Sequence, residues 1–175
     1  GQTGSGKTYT MGTAHSDHLE PEHVGVTPRV IRSLFDKIKK EEADRTAHYK
    51  VRVSFLEIHN EQINDLLFLS SIENADEVPD KSLKKQSVCI RENGAGEIVL
   101  AGLYEEAVSS AEEVHACLKR GTQVRQTAST NMNASSSRSH AIFTITLERQ
   151  SFTENDVAVG PTCGKFHLVD LAGSE

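Results

Sequence analysis

Gly1-Gln2-Thr3-Gly4-Ser5-Gly6-Lys7-Thr8 fits the pattern G-x-x-x-x-G-K-[ST] at every fixed position, and the rest of the chain is read outward from it. Three glycines in six positions let the backbone curl until successive N–H groups face inward, the geometry that cradles the phosphates of a nucleotide. Lys7 supplies a point charge near the outer phosphates, and the Thr8 hydroxyl is placed to ligate Mg2+. A chance glycine-rich loop can match the same pattern. The distinguishing context is a buried strand before the loop and a helix after it, of which only the helix side, Lys7 to about Met11, lies within the chain.

The chain has 175 residues, enough for one domain with a sizeable core. Hydrophobic residues make up 37% and charged residues 25%, close to soluble globular values. A net charge of -6 lacks the basic footprint of a nucleic-acid binder, so any acidic partner must be met locally, and no nucleic-acid contact is evident in the chain. Cys89, Cys117 and Cys163 are far apart and without metal-ligand spacing, which points to reduced intracellular thiols. The apolar run Ile98 to Leu103 is among the longest and is far too short for a membrane span, and no signal segment opens the chain. The natural amino terminus is expected to lie upstream.

After the loop, residues 14 to 25 are polar and carry His15, His18 and His23, whose spacing fits no zinc pattern; a surface loop is expected. Thr27-Pro28 predicts a helix start with a capping hydroxyl, and Val30, Ile31, Leu34, Phe35 and Ile38 form its apolar face. Tyr49 to Ile58 alternates as a strand with one buried face, followed by a connector with Ile63, Leu66 and Leu67. Residues 70 to 87 read as a surface insertion with a small basic patch, Lys81, Lys84 and Lys85. Val88 to Arg91 and Glu97 to Leu100 flank a turn-rich link and predict a hairpin. Ser110 and Glu113 form a capping box ahead of a helix bearing Val114, Cys117, Leu118 and Val124.

Thr127 to His140 then runs with scarcely an apolar side chain, too long for a simple helix-to-strand connection. It fits a flexible serine linker or a loop that reaches a ligand. Ala141 to Leu147 returns to strand alternation, and Phe166 to Val169 is a short strand ending at Asp170 with Gly173 three residues on. A strand-end Asp that holds Mg2+ through water, and a Gly N–H that senses the terminal phosphate, are what a phosphate-loop hydrolase needs opposite its lysine.

GQTGSGKTYTMG at 1 to 12, NASSSRSH at 133 to 140 and DLAGSE at 170 to 175 resemble the phosphate loop, switch I and switch II of the kinesin motor domain. GVTPR at 25 to 29 and the Phe55 to Leu67 stretch agree, so the resemblance covers the chain. RQTASTNMN at 125 to 133 is most similar to the chromokinesin-related branch. His59 departs from the family, which usually carries Tyr there.

The resemblance implies an α/β, three-layer P-loop NTPase fold of kinesin motor type, with residues 1–175 the central part of one motor domain, incomplete at both ends. Adenine-contacting and strand-forming segments would precede it, and the main microtubule-binding helices and neck linker would follow. It implies an ATPase with ATP and Mg2+ as cofactors and microtubules as partner, located in the cytoplasm and cytoskeleton, with the full-length protein a coiled-coil dimer. Gly1, Gln2, Thr3, Gly4, Ser5, Gly6, Lys7 and Thr8 would bind the nucleotide. Thr8, Ser137 and Asp170 would serve the metal, Asp170 from the outer shell. Asn133, Ser136 and the Gly173 N–H would face the terminal phosphate, and Arg138 and Glu175 would pair when the switches close. A kinesin-like scaffold without productive stepping is the alternative. A GTPase shares the phosphate loop and Asp-x-x-Gly, but no guanine-reading N-K-x-D segment is present.

Overall fold

The apolar stripe of the first long helix and the alternation of the first long strand meet in one core. The computed structural model describes residues 1–12, 23–73, 88–130, 135–153 and 158–175, without the side chains of 73, 128–130, 135 and 136. Its elements in chain order are α1 (Lys7–Met11), α2 (Val26–Ala43), β1 (Ala47–His59), β2 (Gln62–Asp65), α3 (Leu66–Glu73), β3 (Cys89–Glu92), β4 (Ile98–Ala101), β5 (Glu106–Val108), α4 (Ala111–Thr130), a 3-10 turn (Ser135–Arg138), β6 (His140–Ser151) and β7 (Thr162–Asp170). His15, His18 and the basic patch lie outside the described residues.

The main sheet runs β2-β1-β6-β7, with β5 also pairing β1, and every described ladder in it is antiparallel. Val51, Val53 and Phe55 of β1 stand opposite Leu147, Ile145 and Phe143 of β6, so these residues share one face. Ile31, Phe35 and Ile38 of α2, Leu66 and Leu67 of α3, and Val114, Cys117 and Leu118 of α4 close over that face as a single apolar cluster. Phe55 and Phe143 meet edge to face at 5.5 Å between ring centroids. The opposite face carries Ser54, Thr144, Thr146 and His167 and looks toward the β3–β4 hairpin across a depression of about 420 Å³.

The hairpin expectation is met, with Glu92 opposite Ile98 and the Asn93 side chain accepting from the Ala95 and Glu97 amides at 2.9 Å. Four local expectations need correction. The α2 N-cap is Gly25 without a side-chain capping bond, because Thr27 is fully buried and the helix has already begun at Val26. The central part of β1 is buried on both faces: Ser54 and Leu56 are shielded as well as Val51, Val53 and Phe55 on the helix-covered face. In the capping box, Glu113 N–H donates to Ser110 Oγ at 3.2 Å, but the Glu113 carboxylate accepts from the Ser109 amide, not that of Ser110. Finally, α4 continues through Thr130 and α3 through Glu73, so the polar stretches begin later than composition implied.

Candidate functional site

Residues 1 to 6 form the turn that the glycines require. Gly4 and Gly6 have φ of 79° and 84°, in the left-handed region where a side chain is strained, and a Cβ built on either meets nothing within 4 Å. The loop therefore turns an open backbone face to a cleft of about 270 Å³ lined by Thr3, Gly4, Gly6, Lys7, Thr8, Tyr9, Ser137 and Leu171. Lys7 curls over the loop, its Nζ donating to the carbonyls of Gly1 at 2.7 Å and Gln2 at 2.9 Å. Among the described residues there is a larger depression, of about 610 Å³, on the apolar floor of Phe35, Ile38, Val51 and Val108. No glycine backbone lines it, so it lacks the phosphate-binding chemistry of the smaller cleft.

Register brings the distant motifs to this loop. Asp170, the last residue of β7, pairs with Ala141 at the start of β6, which in turn pairs with Glu57 of β1. The strand-end loop 171–175 thus emerges beside the 3-10 turn of the hydroxyl-rich stretch. Thr8 Oγ1 donates to Asp170 Oδ2 at 2.8 Å. The Gly173 N–H donates to the Ser137 carbonyl at 2.8 Å, the Ser174 N–H to the Gly1 carbonyl at 3.3 Å, and the Ala172 N–H to His140 Nδ1 at 3.2 Å. The Thr3 amide donates to both oxygens of Glu175, at 3.1 and 2.9 Å. The Thr3 hydroxyl and amide hold the Glu175 carboxyl below its ordinary range, with Lys7 adding a smaller attraction.

Thr8, Ser137, Asp170, Gly173, Glu175 and the loop 1–8 are therefore brought together. Asn133 lies outside the described residues, and for Ser136 only the backbone, within the 3-10 turn, is described. Arg138 is exposed and makes no ion pair with Glu175, whose carboxylate is on Thr3 instead. Sequence reasoning missed Arg125, Glu57, Ser139 and His140, which form the floor under both loops. A signal was present: Arg125 continues the line of Val114, Cys117, Leu118 and Gly121 along α4, and a charged residue on a buried helical stripe calls for a partner.

The residues fit a nucleotide with Mg2+. An anionic carboxylate already occupies one loop amide, as a phosphate oxygen would, and the Thr8 and Asp170 oxygens, 2.8 Å apart, are hard donors of the kind Mg2+ takes.

A glycine-rich loop entering a helix, faced by a strand-end Asp and an Asp-x-x-Gly loop across a mixed helix–sheet fold, defines a phosphate-loop nucleotide-binding protein. The family model of the kinesin motor domain matches residues 1–175, and the chain belongs to that family. It is 42% identical over 179 residues to "Kinesin-like protein KIN-5B" of Arabidopsis thaliana, covering 100% of this chain and 16% of the relative. It is 45% identical over 192 residues to "Kinesin-like protein KIN-4A" of Oryza sativa subsp. japonica, covering 100% and 18%. A solved structure described as that of a fast kinesin, with implications for ATPase mechanism and interactions with microtubules, superposes with a TM-score of 0.79 at 38% identity, covering 100% of this chain and 43% of that one. The P-loop NTPase fold expected from the sequence is thereby shown. The chain spans only 16% and 18% of those two curated relatives.

Proposed function

We propose that this chain is the nucleotide-binding and switch-bearing central part, residues 1–175, of an ATP-hydrolysing microtubule motor. The observation that carries the reading is the 2.8 Å bond from Thr8 Oγ1 to Asp170 Oδ2, which joins the phosphate loop to the strand-end loop where a magnesium site belongs. Mg2+ bound there would neutralise charge on the phosphates. Thr8 and Ser137 would offer oxygens to it directly, and Asp170 through water. The amides of residues 4 to 8 would hold the phosphate oxygens.

Lys7 now donates to Gly1 and Gln2 carbonyls and would exchange them for an outer phosphate. The Gly173 N–H would likewise leave the Ser137 carbonyl for the terminal phosphate, so that occupancy of the cleft and the contact between the two loops are linked. Asn133 and Ser136 would help hold the attacking water. Nothing in this scheme forms a bond to the protein; rate comes from positioning and from charge stabilisation. Microtubules would be the partner, in the cytoplasm on the cytoskeleton, with coiled-coil dimerisation of the full-length protein. Among the described residues no helix is long and apolar enough to cross a membrane.

In the full-length protein, Lys7→Ala should abolish microtubule-stimulated ATP turnover, because no other side chain of the loop can place a positive charge at the outer phosphates. Unaltered turnover in that variant would refute the assignment.

A further inference from the structure

Strand β1 outruns its partners along one edge. β6 covers its length on one side, but on the other β5 pairs only Val51 to Val53 and β2 only Leu56 to His59, so Ala47 to Lys50 face no described strand there. The Tyr49 N–H, which would enter a ladder, donates instead to Glu42 Oε1 of α2 at 3.1 Å. Its carbonyl faces the same edge, because both polar groups of a residue in an antiparallel pair point to one neighbour. At about 3.3 Å per residue, this stretch leaves about 13 Å of edge, enough for a short added strand.

That edge borders the depression of about 610 Å³ between α2 and the start of α4. Phe35, Ile38, Val51 and Val108, none more than 8% exposed, give it an apolar base. Glu42 stands on one wall and Glu113 on the other, where Glu113 Oε2 accepts from the Ser109 amide at 2.7 Å and the Ser109 hydroxyl at 3.0 Å. The nearby cations are engaged elsewhere. Arg52 pairs with Glu105 and Glu148 on the opposite face of the sheet, a face that Lys50 shares by alternation. Arg149, beside Tyr49, is paired with Glu41. An apolar base between two carboxylates complements a large aliphatic side chain that has a cation beside it.

We propose that this depression is a docking site for an extended, basic segment of a partner protein, which adds a short strand beside Ala47 to Lys50. Main-chain bonds to the open edge hold the segment. An aliphatic side chain fills the apolar base, and a lysine or arginine two residues away, on the same face of the added strand, sits between Glu42 and Glu113. The site does not depend on the nucleotide reading, because Ala47 to Lys50 lie at the end of β1 remote from Glu57 and the phosphate loop. The competing role of Glu42 is edge protection alone, a charge that keeps other chains off an unpaired strand.

The test pans a phage-displayed library of random short peptides against the full-length protein and measures the enriched peptides, made with a fluorescein tag, by anisotropy. Enriched sequences are expected to pair Ile, Val or Leu with Lys or Arg two residues away. Binding should slow hydrogen exchange within residues 46–51, and raising salt from about 0.05 M to about 0.5 M should weaken it about fivefold. The double variant Glu42→Gln with Glu113→Gln keeps acceptor oxygens for the Tyr49 and Ser109 amides while removing both charges. It should keep the wild-type thermal midpoint and bind the peptides about fivefold more weakly. No enrichment, enriched peptides without a basic residue, exchange slowed only elsewhere, or a folded double variant within about twofold of wild-type affinity each overturns the proposal. If the double variant does not fold, the salt series and the exchange pattern of the wild type decide: affinity unaltered by salt overturns it equally.

Discussion

Glu175 has one partner implied by family resemblance and another in the structure. The Thr3 amide holds its carboxylate, while exposed Arg138 stands apart on the 3-10 turn. A pair that forms only after Glu175 leaves Thr3 favours the closed arrangement selectively, because it contributes nothing to the open one. Arg138→Glu should therefore leave nucleotide binding close to wild type and lower ATP turnover, whereas Glu175→Arg should lower turnover and also free the Thr3 amide. The double swap should recover part of the lost rate, with a coupling of about 1 kcal/mol or more, roughly fivefold in rate. Steady-state rates of the four proteins with microtubules decide the matter: effects that simply add on a logarithmic axis would mean that no direct pair forms.

The helix α4 carries the floor of the site, and its seat on the sheet depends on one missing side chain. A Cβ on Gly121 would lie 2.3 Å from Phe55 Cδ1 and 3.4 Å from Leu66 Cβ. In an exposed helix interior, Gly→Ala gains about 1 kcal/mol from propensity. Here the clash wins, because Phe55 is 1% exposed and packed against Phe143, with nowhere to retreat. Gly121→Ala should destabilise the protein by about 1–3 kcal/mol, seen as a lower midpoint in urea or heat. An unchanged or raised midpoint would show that α4 can lift from the sheet. Since Arg125 lies one turn further along α4, such a lift should also loosen its ion pair with Asp170.

The antiparallel sheet has β6 on one side of β7, and no described strand pairs with the other side. Phe166 on β7 is 46% exposed, so this edge presents both unpaired backbone and an apolar ring. The 175-residue chain produced alone should accordingly self-associate and bind ATP negligibly, whereas a longer product that covers the edge should not. Size-exclusion chromatography with light scattering checks this. A monodisperse monomer with cooperative unfolding and micromolar ATP affinity would contradict it.

Local signals were enough for much of this architecture. The glycine pattern located the turn at residues 1 to 6 and the helix after it; the helical stripe of α2, the hairpin turn and the capping residues located their elements to within a few residues. They were legible because each depends on neighbours in sequence: glycine torsions, a 3.6-residue period, a side chain reaching its own backbone. Thr27 was misread for the same reason, since a hydroxyl next to a proline predicts a cap unless the core claims it. What only the folded chain decided is which distant polar groups meet. Nothing near Glu57 marks it as a buried anion, nor does anything near Ser139 mark it as the bridge to Arg125. Those identities follow from the register of β1, β6 and β7, which places Glu57, Ala141 and Asp170 in one row beneath α4. Strand register is set by turns and by burial across the entire sheet, and a buried charge is stable only if that register brings its partner within hydrogen-bonding distance.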